Sequence, residues 1–230
     1  MKTIGLLGGM SWESTQEYYR IINEETQRLR GGHHSAPIAM ISVDFHEIEE
    51  LQRAGDWEAM ADILSEKARQ VETAGAELLL ICTNTMHKVA EQVAMAVSIP
   101  LVHVADATAV SVKRSGASTV GLLGTAFTME QEFYKGRLQQ KGLDVLVPDA
   151  KDRELVHRVI YEELVMGEIN AASRDIFLDI IGKLQHRGAE AVIEGCTEIG
   201  LLVKQEHTQV PLFDTAAIHA KQAVSEALTP

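Results

Sequence analysis

Residues 75–85 read GAELLLICTNT, and residues 188–198 read GAEAVIEGCTE. In each, a glycine closes an amphipathic segment, an apolar run of strand length follows, and the run ends in small polar residues. The correspondence recurs on either side. IGLLGG at 4–9 matches VGLLGT at 120–125, and IPLV at 99–102 matches VPLF at 210–213. Three matches in the same order, at nearly constant offset, describe a half-chain used twice. Overlaying the halves sets Thr83 on Cys196.

Short apolar runs alternate with longer amphipathic stretches along the whole chain. The pattern predicts strands at 3–7, 37–43, 77–82, 100–103, 118–123, 143–147, 190–194 and 211–213. It predicts helices at 13–30, 56–74, 86–97, 105–115, 128–141, 151–166, 171–187, 198–203 and 215–228. Strand–helix alternation of this kind implies an α/β fold. The expectation is two pseudo-symmetric three-layer lobes, each a mostly parallel four-stranded sheet flanked by helices, with the active site in the cleft between them. The first lobe is expected over 1–104 plus 214–230, and the second over 105–213.

The chain has 230 residues, 46% apolar and 23% charged, the balance of a soluble globular protein. A net charge of −12 argues against nucleic acid, whose phosphates require a basic face. The opening MKTIGLLGG runs directly into a strand-and-turn pattern and reads as mature protein rather than a signal segment. No apolar run approaches the roughly 20 residues of a membrane span, so no membrane partner is expected and the expected location is cytoplasmic. With two cysteines and nothing that suggests secretion, a structural disulfide is not expected.

Ligands of open parallel sheets bind outside the carboxyl ends of the strands. Four loops leave such ends: Gly8-Gly9-Met10-Ser11, Thr83-Asn84-Thr85, Thr125-Ala126-Phe127-Thr128 and Cys196-Thr197-Glu198. Their hydroxyls and backbone N–H groups suit a carboxylate at a helix N-terminus, although any one of them also reads as a helix cap. Four in symmetric positions favour a binding site for a small acid.

Cys196 follows an apolar run and precedes a helix, a placement expected to lower its thiol pKa. By spacing alone, an inert buried cysteine fits as well. Cys82 lies one residue before the equivalent position, so strand alternation turns it toward the core. The glycines at 5, 8 and 9 do not have dinucleotide-fingerprint spacing, and no P-loop is present. The histidines show no metal spacing. His87, four residues past Thr83, suits a supporting role.

At these residues the chain resembles the cofactor-independent aspartate/glutamate racemase family, and in particular its bacterial broad-specificity or L-Asp/Glu subgroup. GGMSWEST at 8–15 resembles the family's opening loop, TNTMH at 83–87 its first catalytic motif, and GCTEIGLL at 195–202 its second. The resemblance implies proton removal from one face of an amino acid's Cα and return to the other, with neither metal nor pyridoxal phosphate. It implies Cys196 and Thr83 as the catalytic pair, with Met10, Ser11, Gln52, Asn84, Thr85, His87, Thr125, Thr197 and Glu198 around a small amino-acid substrate. A homodimer is implied by the resemblance alone.

The chain departs from the family pattern in two places. Thr83 stands where the family has its first cysteine, which implies better turnover in one direction than in the other. The segments 44–53, DFHEIEELQR, and 161–167, YEELVMG, offer no motif for the Arg and Lys that hold a substrate's side chain in some members. Gln52 or Arg53, and Glu163 or Val165, lie nearest. A lone working cysteine would also suit a decarboxylase or isomerase of the same superfamily, and a sensor that binds amino acids without turnover is a third reading.

Overall fold

The computed structural model describes residues 1–229, which divide into two compact units. The first comprises Met1–His103 and the segment from His219; the second is Val104–Ile218. Both sheets are parallel throughout.

In the first unit, β1 (Ile4–Gly8) lies between β2 (Ile38–Ser42) and β3 (Leu78–Ile81). β1 and β3 are buried along their whole length, as their unbroken apolar sequences require. The expected strand at 100–103 is reduced to a single bridge between Leu79 and Leu101. The Leu79 N–H donates to Pro100 O and the Val102 N–H to Leu79 O, both at 2.9 Å. Pro100 has no N–H to extend the ladder, and the chain turns into a helix at Val104, so this sheet has three strands rather than four.

Helix α1 (Trp12–Arg30) follows β1 and is capped by Ser11, whose Oγ accepts from Ser14 N. Helix α2 (Phe45–Ala54) occupies a stretch for which the pattern predicts no helix or strand. Asp44 caps its start, accepting from His46 N, and Gly55 ends it at φ 72°. These are ordinary start and stop signals. α3 (Trp57–Thr73) packs Met60, Leu64, Ala68 and Val71 with Leu7, Leu79 and Ile81. Past β3 the chain makes a 3-10 turn, Thr85–Val89, before α4 (Ala90–Met95), so the expected single helix at 86–97 is two pieces.

The second unit has strand order β5 (Asp144–Leu146), β4 (Thr119–Gly124), β6 (Ala191–Gly195), β7 (Leu212–Asp214). One face, with Leu123 and Val192, packs Val156 and Ile160 of α8 (Ala150–Glu162) and Phe177 and Ile181 of α9 (Ala171–His186). The other face, with Val120, Leu122 and Ile193, packs α5 (Val104–Ser115) and α7 (Glu132–Gln140). The expected helix at 128–141 is broken at Gln131, between α6 (Ala126–Glu130) and α7. α10 (Ile199–Leu202) is a single turn, and α11 (Thr215–Leu228) starts in this unit and from His219 belongs to the first.

Tight approach of β4 to β6 depends on glycine: a Cβ at Gly195 would lie 2.7 Å from Leu123 O. Gly188, at φ 102°, makes the turn that feeds β6, and Gly75, at φ 94°, does the same for β3.

Candidate active site

In the first unit, the 8–11 loop and the 83–87 turn leave the carboxyl ends of the paired strands β1 and β3. They are joined by hydrogen bonds from Cys82 N to Leu7 O at 2.9 Å and from Ser14 Oγ to Cys82 O at 3.0 Å. Thr15 Oγ1 accepts from Gly9 N and donates to Ser11 O, both at 2.8 Å, which locks the opening loop onto α1. Met10 packs in one cluster with Ile48 and Met86. Gln52 of α2 donates from Nε2 to Met86 Sδ at 3.2 Å and is buried. Met10, Ser11, Gln52 and the 83–87 turn therefore gather at one end of the sheet. Arg53 does not: its side chain is 77% exposed and ion-paired with Glu49.

Cys82 is fully buried, as strand alternation implied, and burial pushes its thiol far up. Thr83, Asn84, Thr85 and His87 are also buried. His87 Nδ1 lies 2.7 Å from Thr83 O, so this ring nitrogen carries the proton and donates it to the carbonyl. This bond clamps the Thr83 main chain. The His87 ring stands 4.6 Å from that of His103 and 5.7 Å from that of His219. His219 Nε2 lies 2.7 Å from Val102 O, and its Nδ1 lies 2.9 Å from Tyr18 Oη. Nε2 donates to the carbonyl, and Nδ1 accepts from the Tyr18 hydroxyl. Sequence reading did not single out Tyr18, His103 or His219, since residues so far apart in the chain carry no shared spacing.

In the second unit, Thr125 and Cys196 follow the paired strands β4 and β6. Thr125 caps α6, its Oγ1 accepting from Thr128 N at 3.3 Å. Ala126 N donates to Nδ1 of His157, a residue of α8 that no motif announced, at 3.2 Å. Burial lowers the His157 pKa.

Cys196 Sγ donates to Glu198 Oε2 at 3.0 Å, and Thr197 Oγ1 donates to the same oxygen at 2.9 Å. The expectation of a thiol activated by a helix N-terminus is corrected. Burial first, then the Glu198 charge and hydrogen bond, push the Cys196 thiol well above its ordinary value, and the N–H groups of Glu198 and Thr197 oppose this less strongly. A helix of four residues has too few aligned peptide dipoles to outweigh a carboxylate in contact. The resting form is a thiol whose proton has an acceptor in place. Glu163 is committed elsewhere, accepting from Ser173 Oγ at 2.6 Å.

No group of His, Cys, Asp and Glu among the described residues could hold a metal ion, and no described helix is long and apolar enough to cross a membrane.

Polar loops at the carboxyl ends of paired central strands are where ligands of open parallel sheets bind, and both units carry them. The sequence model described as Asp/Glu/hydantoin racemase matches residues 7–223, and the chain belongs to this family. It is 25% identical over 229 residues to the broad-specificity amino-acid racemase RacX of Bacillus subtilis (strain 168), covering 96% of each chain. Among solved structures, a candidate Asp/Glu racemase from Yersinia pestis is 54% identical with a TM-score of 0.92, covering 100% of both chains. An aspartate racemase homologue from Pyrococcus horikoshii OT3 is 36% identical with a TM-score of 0.86, also over 100% of both. As a racemase the protein is an isomerase.

Proposed function

We propose that the protein racemises a small polar or acidic amino acid, aspartate, glutamate or a close analogue, with Cys196 as acid/base on one face of Cα and Thr83 standing at the opposite position. The observation that carries this reading is the contact between Cys196 Sγ and Glu198 Oε2. A thiol is a useful base only as thiolate, and Glu198 is placed to take its proton. The thiolate then removes the α-proton, and the electron pair left on Cα spreads into the substrate carboxylate. N–H and hydroxyl donors of the Asn84-Thr85 and Thr125 loops suit that carboxylate. A proton returned to the other face completes inversion.

Thr83 is a far weaker acid than a thiol, so the step on its side is the slower one and relies on water to carry the proton. His87 holds the Thr83 main chain in place. Gln52, neutral and bonded to a methionine sulfur, suits a polar side chain as well as an acidic one. Homoserine therefore belongs beside Asp and Glu among the substrates to try.

The test follows the α-proton by NMR in D₂O, with each enantiomer of Asp, Glu and homoserine. Deuterium at Cα with appearance of the opposite enantiomer, both abolished in Cys196→Ser, is the expected result. No exchange with any of these three amino acids would overturn the proposed substrate range and the role of Cys196 in it. CO₂ release from an arylmalonate would then favour a decarboxylase with Cys196 as its lone proton donor. Tight binding without exchange would favour a sensor.

A further inference from the structure

Glu194 lies on β6, two residues before Cys196, and is 3% exposed. Its Oε1 has no hydrogen-bond partner. A carboxyl so enclosed is costly unless it is neutral or paired. Its neighbour is a second acid. Asp214 of β7 is its register partner. A Cβ at Gly200 would meet Asp214 Oδ2 at 3.0 Å and Glu194 Oε2 at 3.7 Å, so both carboxyls lie against the same residue of α10.

The two acids are not equivalent. Asp214 Oδ1 accepts from Ala217 N at 3.0 Å in the first turn of α11, a setting that favours its anion. Burial, followed by the Asp214 charge, pushes the Glu194 carboxyl well above the ordinary carboxylate range. No neighbouring element brings Glu194 a cation. β4, α10 and the first turn of α11 carry no titratable side chains. The charged residues of α9 are exposed, apart from half-buried Arg174, which donates to Leu202 O at 2.8 Å. Asp106 of α5, which packs on β7, is paired with Arg137 and Lys141. Glu198 is occupied by Cys196 and Thr197.

We propose that Glu194 and Asp214 share one proton, carried by Glu194 and donated toward Asp214, and that this acid pair positions the β6–α10–β7 corner on which the Cys196 loop is built. Thr215 Oγ1, which donates to Glu194 O at 2.7 Å, ties the same corner to α11. When the proton leaves to solvent base, two anions face each other beneath a one-turn helix, and α10 is the element least able to resist their repulsion. Glu194 is then a positioning residue whose protonation sets the alkaline limit of the site. The activity half of this inference rests on Cys196 being the acid/base; the proton-sharing half does not.

The test is ¹³C NMR of the full chain labelled at the glutamate side-chain carboxyls, titrated for wild type, Glu194→Gln and Asp214→Asn. In wild type at neutral pH, one glutamate carboxyl is expected in its protonated position. It should be absent from Glu194→Gln and should titrate at lower pH in Asp214→Asn. A wild type with every glutamate carboxyl ionised at neutral pH would overturn the pair, whether or not the protein racemises anything. In α-proton exchange, Glu194→Ala is expected to lose turnover. Glu194→Gln, which mimics the neutral acid, should restore it and lose the alkaline decline. A folded Glu194→Gln that keeps the wild-type alkaline decline would overturn the positioning role.

Discussion

Cys196 Sγ donates to Glu198 Oε2 across 3.0 Å, and the same oxygen also takes the Thr197 hydroxyl. One carboxylate thus holds two protons of its own loop, and its charge adds to burial, the larger cause, in keeping the thiol pKa high. In Glu198→Gln the charge is gone and the amide cannot receive the thiol proton. Alkylation of Cys196 by iodoacetamide at neutral pH should quicken by roughly tenfold, the effect of about one pKa unit. Turnover should fall by about 10²–10⁴-fold, the usual contribution of a positioned acid or base. Slower alkylation with unchanged turnover would remove Glu198 from the proton path.

Thr83 bears on direction. Thr83→Cys places a thiol at the first-motif position, on a main chain still held by His87. The slower of the two racemisation directions should gain at least about tenfold, and the ratio of the two kcat values should move toward one. Wild-type protein that turns over both enantiomers with equal kcat would show that Thr83 imposes no asymmetry.

His219 predicts acid sensitivity. Burial pushes its pKa down to about 4 from an ordinary 6.5, with the Val102 carbonyl opposing. The folded state therefore refuses a proton that the unfolded chain accepts. Stability present above pH 6.5 is lost as pH falls toward 4. The full difference is about 3 kcal/mol. His219→Gln keeps a donor and an acceptor but does not titrate, so urea midpoints of the variant should fall less over this range than those of wild type.

Gly195→Ala tests the strand spacing behind Cys196. The new Cβ would lie 2.7 Å from Leu123 O and 2.8 Å from Leu122 Cδ1. Neither the backbone oxygen nor the packed leucine can retreat far, so a cost of about 1–3 kcal/mol is expected in chemical denaturation, with turnover reduced in the folded fraction. Gly182, where a Cβ meets nothing within 4 Å, is the matching control.

Much of the fold is legible because its signals are local and periodic. GAELLLICTNT and GAEAVIEGCTE each contain a glycine at positive φ, a buried strand and a polar loop in consecutive residues. The start and stop of α2 are equally local signals, Asp44 and Gly55. Gln131 and Pro100 interrupt elements that periodicity alone would continue.

The sequence by itself determined the α/β class, the family, the four polar loops and the core position of Cys82. Each depends on residues adjacent in the chain or on the strand period of two. Only the tertiary structure decided that Cys196 rests as a protonated thiol against Glu198, that His87 clamps the Thr83 carbonyl, and that burial keeps His219 neutral between Tyr18 and Val102. It also decided that Glu194 and Asp214, twenty residues apart, meet as paired strand neighbours. Protonation depends on burial and on charges that folding brings near. Those distances are set by sheet register and helix packing, which linear spacing does not encode.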